Sequence, residues 1–204
     1  VSDCEADDVI GYLANFELRN KQIVIASSDH DYYQLVDDNT TIWSPGQKKI
    51  VTQKDIFEKF NIQPENFCVA RCFCGDKSDG IPGATGVGFK SITKRFNFLS
   101  TNEKSTVDDI ITFAEQQVLQ SKLKIYKNVV DHALRAKINW KLMYLGTNNL
   151  SASQIKKIEF QVEQNPPPLK KIGFMRALKR YQINNFDIDS YFMALNFINN
   201  KQEI

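Results

Sequence analysis

Residues Gly75 to Lys90, with the sequence GDKSDGIPGATGVGFK, restrict the fold of this chain more than any other stretch. Two carboxylates, Asp76 and Asp79, open the stretch, and a run of glycines that ends in Lys90 follows them. Carboxylate oxygens are hard ligands that bind divalent cations, and glycines let a backbone approach a phosphate closely. The stretch therefore indicates a protein that binds nucleic acid and cuts it.

The glycine segment favours contact with a nucleic-acid backbone over binding of a nucleotide. Gly86 and Gly88 precede a helix predicted from about Gly88 to Phe96, and amides in that position favour an anion. The order G-x-x-x-x-G-K-[S/T] of a Walker loop is absent, and the order here is G-x-x-G-x-G with no preceding strand, so a dinucleotide fingerprint does not fit. We therefore expect a hairpin that contacts a DNA backbone without reading its sequence.

Two further acidic clusters precede this stretch, and each lies at the boundary of a predicted element. They are Glu5, Asp7 and Asp8 in the first cluster, and Asp29 and Asp31 in the second. The first opens an amphipathic helix predicted over 5–19, and the second follows an apolar run, Ile23 to Ala26, typical of a parallel strand buried on both faces. Alone, the clusters are equally explained as a charged helix start and a polar loop. With Asp76 and Asp79 on one predicted helical turn, all three can converge at one sheet edge.

The ligand chemistry of these clusters indicates Mg²⁺ or Mn²⁺, because the oxygens are hard and no histidine or cysteine joins them. Two such ions about 4 Å apart can activate water and stabilise a leaving oxygen, as phosphodiester hydrolysis requires. Cys68, Cys72 and Cys74 have no zinc spacing and are predicted to be buried, reduced thiols on a helix over 64–74. We assign no catalytic role to His30 or His132.

Charge is distributed unevenly along the 204 residues. Residues 1–79 carry 14 acidic and 8 basic side chains, a net charge of −6, whereas residues 80–204 carry 10 acidic and 18 basic ones, +8. An acidic half before a basic half fits a metal site beside a phosphate-binding surface, although solvated helix faces explain the later basic residues as well. No apolar run is long enough to cross a bilayer and no signal peptide is visible, so we expect a cytoplasmic protein without a membrane partner.

The remaining elements follow from turn and helix signals. Thr41–Trp43 and Lys49–Val51 flank a Ser-Pro-Gly-Gln turn and are expected to pair as a hairpin, with a helix over 53–60 after them. Beyond residue 100 the chain is expected to be helical and basic, and Pro166–Pro168 separate two of its helical segments.

The acidic motifs resemble those of the 5′-nuclease family, which includes flap endonucleases, the 5′-nuclease domain of bacterial DNA polymerase I and phage 5′→3′ exonucleases. The matching segments are EADDVI (5–10), SDHDYYQL (28–35), GDKSD (75–79) and IPGATGVGFK (81–90). The last resembles the family's helix-two-turn-helix motif. The resemblance covers about residues 1–100. Trp43-Ser44-Pro45 and a late PPLKKI segment are more weakly similar to T-even phage ribonuclease H, which suggests a phage or related viral origin.

The resemblance implies an α/β fold. Its parts are the carboxyl-terminal half of a PIN-like parallel-sheet nuclease core over 1–75, a helix-two-turn-helix over 76–100 and a basic α-helical carboxyl-terminal region over 101–204. It implies a Mg²⁺ or Mn²⁺ site of two ions, lined by Glu5, Asp7, Asp8, Asp29, Asp31, Asp76 and Asp79. Of these, Asp7, Asp29, Asp31, Asp76 and Asp79 are the implied catalytic acids. Duplex DNA, with a K⁺ ion at the hairpin, is implied to contact Gly83, Gly86, Gly88, Lys90 and Lys94. Tyr32 is expected to pack rather than to stack on a base.

The implied function is metal-dependent, structure-specific cleavage of DNA 5′ flaps or RNA primers during replication and repair. The implied partners are a 5′-flapped or RNA–DNA junction and replication proteins such as a single-strand binding protein or a polymerase. Family members also carry a preceding segment with the first sheet strand, further metal-binding aspartates and a basic helical arch. We therefore expect this chain to be the carboxyl-terminal part of a longer nuclease and to be inactive alone. The alternatives are a non-catalytic duplex-binding module and one half of a split nuclease.

Overall fold

The computed structural model describes residues 1–146, 149–164 and 170–201, in an α/β arrangement. The chain forms two compact units, residues 1–159 and 160–204. The boundaries predicted near residues 75 and 100 fall inside the first unit, and a division of roles at those points stays a prediction. No helix of the described chain is long and apolar enough to span a bilayer.

The helices account for most of the described residues. They are α1 Ala6–Tyr12, α2 Gln53–Phe60, α3 Pro64–Cys74, α4 Phe89–Arg95, α5 Val107–Gln120, α6 Lys124–Asp131, α7 Ala133–Met143, α8 Ala152–Glu163, α9 Lys171–Arg180 and α10 Ile188–Lys201. The helix predicted over 5–19 is confirmed in part, since α1 continues as a π-helix, Leu13–Glu17, and ends there. Short 3₁₀ helices cover Asp31–Leu35 and Asn97–Ser100. The predicted helical character beyond residue 100 is confirmed.

A three-stranded sheet lies beside these helices. Strand β1, Ile23–Ala26, pairs in parallel with β2, Thr40–Ser44, and β2 pairs antiparallel with β3, Lys49–Val51, so the predicted hairpin is confirmed. The expectation that β1 is buried on both faces is wrong, because Val24 is 59% exposed while Ile25 is 7% exposed. Within the described chain β1 is an edge strand, and only its Ile25 face packs on the core.

Helix α3 is the centre of the core, as its apolar sequence predicts. Nine of its eleven residues are buried. Phe67 packs edge-on against Phe60, with ring centroids 5.1 Å apart, and stacks on Phe89 of α4 at 5.3 Å. The cysteine prediction is confirmed for Cys68 and Cys72, which are buried free thiols. Because other residues pack around α3 on nearly all sides, a polar side chain on this helix is held in a fixed position.

The segment after α3 turns back sharply instead of starting another helix. The expected helical turn for Asp76 and Asp79 is wrong: β4, Gly75–Asp76, pairs antiparallel with β5, Ile81–Pro82. Gly75 ends α3 with φ +74°, and a Cβ there would lie 2.3 Å from the Gly83 nitrogen. The two backbones can approach this closely only because both positions, Gly75 and Gly83, are glycine. The hairpin geometry therefore follows from the spacing of these glycines.

The second unit is held together by aromatic packing between α9 and α10. The ring of Phe174 stacks on Tyr191 at 5.2 Å and meets Phe186 edge-on at 5.4 Å. Helix α9 lies in the region predicted to be helical, and its apolar residue Ile172 is 66% exposed. Pro166–Pro168 lie outside the described residues.

Candidate metal centre and duplex-binding loop

Three carboxylates from two parts of the chain meet at one point. Asp31 lies in the 3₁₀ helix that follows β1, Asp76 lies in β4, and Asp79 lies in the turn between β4 and β5. One carboxylate oxygen from each lies within 4.8 Å of the others. Asp31 and Asp76 are buried, whereas Asp79 is exposed and reaches the cluster from solvent. We call these three residues the acidic cluster. Their oxygens form the donor set that hard divalent cations prefer.

Arg71 of α3 lies inside the acidic cluster, and the sequence reasoning missed it. Its guanidinium is ion-paired with Asp31, with Nε 2.7 Å from Oδ1, and also with Asp76. The residue is only 6% exposed. A lone arginine in the apolar helix NFCVARCFC was the available signal, because a buried cation requires an anionic partner.

The Arg71–Asp31 contact is an ion pair without hydrogen-bond alignment. Asp31 Oδ1 and Arg71 Nε make no hydrogen bond in the described chain despite their short separation. Asp31 Oδ1 therefore keeps lone pairs that can turn towards another cation. The arginine offsets negative charge in the cluster and donates a hydrogen bond to Asp76 Oδ2, but it leaves Asp31 Oδ1 without a hydrogen bond.

Burial and mutual repulsion set the protonation of the acidic cluster. Burial raises the pKa of Asp31 to about 6; Arg71 opposes this shift, and the charges of Asp29 and the other cluster carboxylates add to it. Burial acts in the same direction on Asp76, but hydrogen bonds from Ser78 and the charge of Arg71 outweigh it and lower that pKa. The charge of Asp76 raises the pKa of Asp79. The pKa values of Asp31 and Asp79 are raised, so a further positive charge nearby would stabilise the ionised forms of these two carboxylates.

The other predicted ligands lie outside the acidic cluster and have partners of their own. Asp29 Oδ1 accepts the amide proton of Asp31 at 2.8 Å. Asp8 accepts the Glu5 amide proton at 3.3 Å and a proton of Asn149 at 2.9 Å, so Glu5 and Asp8 cap α1. Asp7 Oδ1 accepts the Tyr32 hydroxyl proton at 2.6 Å. Ligand or catalytic roles for these four acids stay predictions.

Tyr32 connects the first acidic segment to the second. Its ring is 4% exposed, so it packs in the core rather than facing a base. Burial is the largest cause that raises the pKa of the Tyr32 hydroxyl, and the hydrogen bond to Asp7 and the charge of Asp7 raise it further. The hydroxyl therefore stays protonated and donates its proton to Asp7. This bond holds the amino end of α1 beside the 3₁₀ helix that carries Asp31.

The loop of residues 83–88, which we call the glycine loop, follows β5 directly. Gly86 is exposed and has φ +72°, in the left-handed region that favours glycine. The Gly88 amide, expected to face an anion, donates instead to Ser91 Oγ at 2.9 Å. Gly83 packs on α3, where a Cβ would lie 2.3 Å from the Cys74 oxygen. That contact gives Gly83 a structural reason to be glycine, and its role in DNA binding stays a prediction.

Two cations stand beside the glycine loop on α4. Lys90 and Lys94 are both exposed and lie four residues apart, on one side of the helix. A loop backbone with lysines next to it can follow a chain of phosphates without touching base edges. The acidic cluster and the glycine loop are joined by the β4–β5 hairpin, which fixes one relative to the other.

Comparison with known proteins finds 5′-3′ exonucleases, flap endonucleases and DNA polymerase I among the similar proteins. The family model for the 5′-3′ exonuclease N-terminal, resolvase-like domain matches residues 1–61. The 5′-3′ exonuclease of Buchnera aphidicola from Schizaphis graminum is 34% identical over 129 residues, covering 60% of this chain and 45% of the relative. DNA polymerase I of Bacillus subtilis is 32% identical over 184 residues, 86% of this chain and 20% of that protein. Flap endonuclease Xni of Pseudoalteromonas translucida is 30% identical over 139 residues, which cover 66% of this chain and 53% of the relative. The chain thus spans about half or less of the length of these relatives.

The fold has solved counterparts. The bacteriophage T5 5′-exonuclease with bound zinc superposes with a TM-score of 0.65 at 20% identity, covering 79% of this chain and 60% of the phage protein. A complex of the T5 flap endonuclease with DNA and metal ions gives a TM-score of 0.65 at 22% identity, with the same coverage. The shared fold, the matched amino-terminal segment and the named relatives agree with the resemblance of the acidic motifs to those of 5′-nucleases.

Proposed function

We propose that the chain carries the metal-binding and duplex-binding parts of a structure-specific 5′-nuclease, which hydrolyses phosphodiesters at 5′ flaps or RNA primers. The observation that carries the proposal is the convergence of Asp31, Asp76 and Asp79 within 4.8 Å. The similarity to relatives named as 5′-3′ exonucleases and flap endonucleases supports it. The substrate would be a DNA flap or an RNA–DNA primer junction.

The acidic cluster fits a divalent cation by its donor chemistry. Three carboxylates with no histidine or cysteine favour Mg²⁺ or Mn²⁺ over zinc. Asp31, Asp76 and Asp79 would hold the ions, and Asp7 and Asp29 would add negative charge from just outside. When bound, such ions activate water and stabilise the leaving oxygen of a phosphodiester, and two of them would serve both ends of the displacement.

The chain's own residues position this site and the duplex. Arg71 sets the spacing of Asp31 and Asp76, because it is ion-paired with both. The hydroxyl of Tyr32 holds Asp7 beside the cluster. The glycine loop, Lys90 and Lys94 would hold duplex DNA behind the cut, and carbonyl oxygens of the loop would bind K⁺. The β4–β5 hairpin would set the distance from the held duplex to the cut.

The cellular setting follows from the same proposal. Removal of flaps or primers belongs to replication and repair, in the cytoplasm of a cell or of a phage-infected host. A single-strand binding protein or a polymerase would deliver the substrate, and the relatives include DNA polymerase I. The weak similarity to T-even phage ribonuclease H favours RNA primers as one substrate.

A cleavage assay tests the proposal. The chain, alone and after addition of the amino-terminal segment of a relative, is incubated with a 5′-flapped duplex and Mg²⁺. We expect cleavage that depends on Mg²⁺ and is lost in Asp76→Ala plus Asp79→Ala. Unchanged cleavage in that variant would overturn the metal assignment.

A duplex-binding module without cleavage is the second candidate, and Arg71 favours it. An arginine that already offsets part of the negative charge of Asp31 and Asp76 weakens the demand for metal. A split nuclease is favoured by the uncovered face of β1, where Val24 is 59% exposed. Salt-sensitive duplex binding with no cleavage in either arm of the assay would support the module. Cleavage only with the added segment would support the split enzyme.

A further inference from the structure

We propose that helix α6 completes the duplex-binding surface. Asn128 and His132 act as positioning residues that hold the glycine loop, and Lys124 contacts the phosphate backbone beside it. The inference rests on the proposed binding of duplex by the loop. Helix α6 lies some forty residues after the loop in the sequence, and none of the motifs includes it.

Asn128 fixes the backbone of the glycine loop. Its Nδ2 donates a hydrogen bond to the Thr85 carbonyl oxygen at 2.6 Å. A Cβ added at Gly86 would lie 3.6 Å from the same nitrogen, so Asn128 also lies against the left-handed residue. Thr85 and Gly86 are exposed, whereas Ala84 and Val87 on either side of them are buried in the core. The Asn128 bond therefore restrains the exposed part of the loop.

His132 restrains the side chain of the same loop residue. Its Nδ1 lies 2.8 Å from the Asn128 carbonyl oxygen, which can only accept, so Nδ1 carries the proton. In the neutral ring Nε2 then has a free lone pair, and the Thr85 hydroxyl, 3.5 Å away, is placed to donate to it. Helix α6 thus holds Thr85 by its backbone and by its side chain.

The side of α6 that contacts the loop also carries a positively charged side chain, Lys124. Lys124 and Asn128 are four residues apart, on one side of α6, and His132 follows four residues later as the residue that caps the helix. Lys124 is exposed, as are Lys90 and Lys94 on α4. Helices on both sides of the loop therefore present lysines. Spaced cations around an exposed backbone fit a polyanionic duplex better than a single small anion. Asp131, also exposed, is the only acid of α6 and opposes this attraction.

Four variants test the inference by fluorescence anisotropy with a blunt DNA duplex. Asn128→Leu keeps the branching of the side chain at Cγ but removes the donor, and should weaken binding about tenfold, as expected for one lost hydrogen bond. His132→Ala should weaken binding about threefold, since its contact is longer. Lys124→Gln should lower the slope of log affinity against log salt by about 1. Lys156→Gln on α8 is the matched control and should change neither, because α8 contacts residues 2–13 rather than the loop.

Unfolding midpoints and Mn²⁺ affinity, measured on every variant, separate positioning from folding. Both should stay at the values of the unaltered chain in Asn128→Leu and Lys124→Gln. If Asn128→Leu lowers the unfolding midpoint, the Mn²⁺ affinity and the duplex affinity together, the residue is merely structural and the inference is overturned.

The controls also separate this inference from the proposed function. Gly86→Val alters the loop itself. If it weakens duplex binding while the α6 variants bind as the unaltered chain does, the inference fails and the proposed function stands. If the unaltered chain does not bind duplex at all, both fail.

Discussion

The acidic cluster, which takes Asp76 and Asp79 from the β4–β5 hairpin, and the glycine loop that follows this hairpin are held in different ways. Asp31 and Asp76 are buried, and they are fixed by a charge, Arg71, supplied from the core helix. Thr85 and Gly86 are exposed and fixed by hydrogen bonds to the neighbouring helix α6. Changes in the cluster should therefore alter global stability and cation binding together, whereas changes in the loop should alter duplex binding alone.

Replacing Arg71 with Met should have the largest effect. It leaves Asp31 and Asp76 buried without a counter-charge, and breaking such a network costs about 3–5 kcal/mol of unfolding free energy. Divalent cation should restore more stability to this variant than to the unaltered chain, because it replaces the missing charge. Chemical denaturation with and without Mg²⁺ measures both effects. An unchanged midpoint would show that Arg71 does not support the cluster.

Loss of two cluster carboxylates should be next in size. Asp76→Ala plus Asp79→Ala should weaken Mn²⁺ binding more than about 100-fold, beyond what loss of a supporting partner costs. The control Asp38→Asn plus Glu65→Gln removes two exposed charges outside the cluster and should leave the affinity unchanged. Titration calorimetry gives both affinities. Equal losses in the two variants would mean that general charge, not the cluster, binds the ion.

Gly86→Val should separate the two regions most directly. A β-branched residue is strained at φ +72°, so the loop should shift and duplex affinity should fall about tenfold. Mn²⁺ affinity should stay within twofold of the unaltered chain, about the scatter between such measurements. Gly46→Val is the control, since Gly46 lies outside the left-handed region. A parallel loss of duplex and cation affinity would mean that loop and cluster form one unit.

Ser91→Ala should have the smallest effect. Ser91 Oγ accepts the Gly88 amide proton and donates to the Gly88 carbonyl, both at 2.9 Å, so its loss should cost about 0.5–1 kcal/mol at the start of α4. The freed amide faces solvent, and duplex affinity should change less than threefold. Urea denaturation and anisotropy measure the two quantities. A large gain in duplex affinity would show that the Gly88 amide is a phosphate ligand which Ser91 masks.

Much of the fold could be predicted from local signals. The hairpin of β2 and β3 follows from its turn, and the burial of α3 follows from its apolar sequence. The errors came from context. The run Ile23–Ala26 has the composition of a central strand, but its exposure depends on which neighbours cover it. Asp76 and Asp79 have helical spacing, but Gly75 with φ +74° ends the helix before them.

The sequence by itself determined which groups are available. It supplied carboxylates of the right hardness, glycines that permit a close backbone approach, and lysines next to them, because residue chemistry and short-range spacing require no knowledge of the fold. Only the tertiary structure decided which acids meet. Asp31 joins Asp76 and Asp79, whereas Glu5 and Asp8 cap a helix and Asp7 binds Tyr32. Arg71 and Asn128 acquired their roles in the same way, since a buried charge or a loop restraint depends on partners that folding brings from distant parts of the chain.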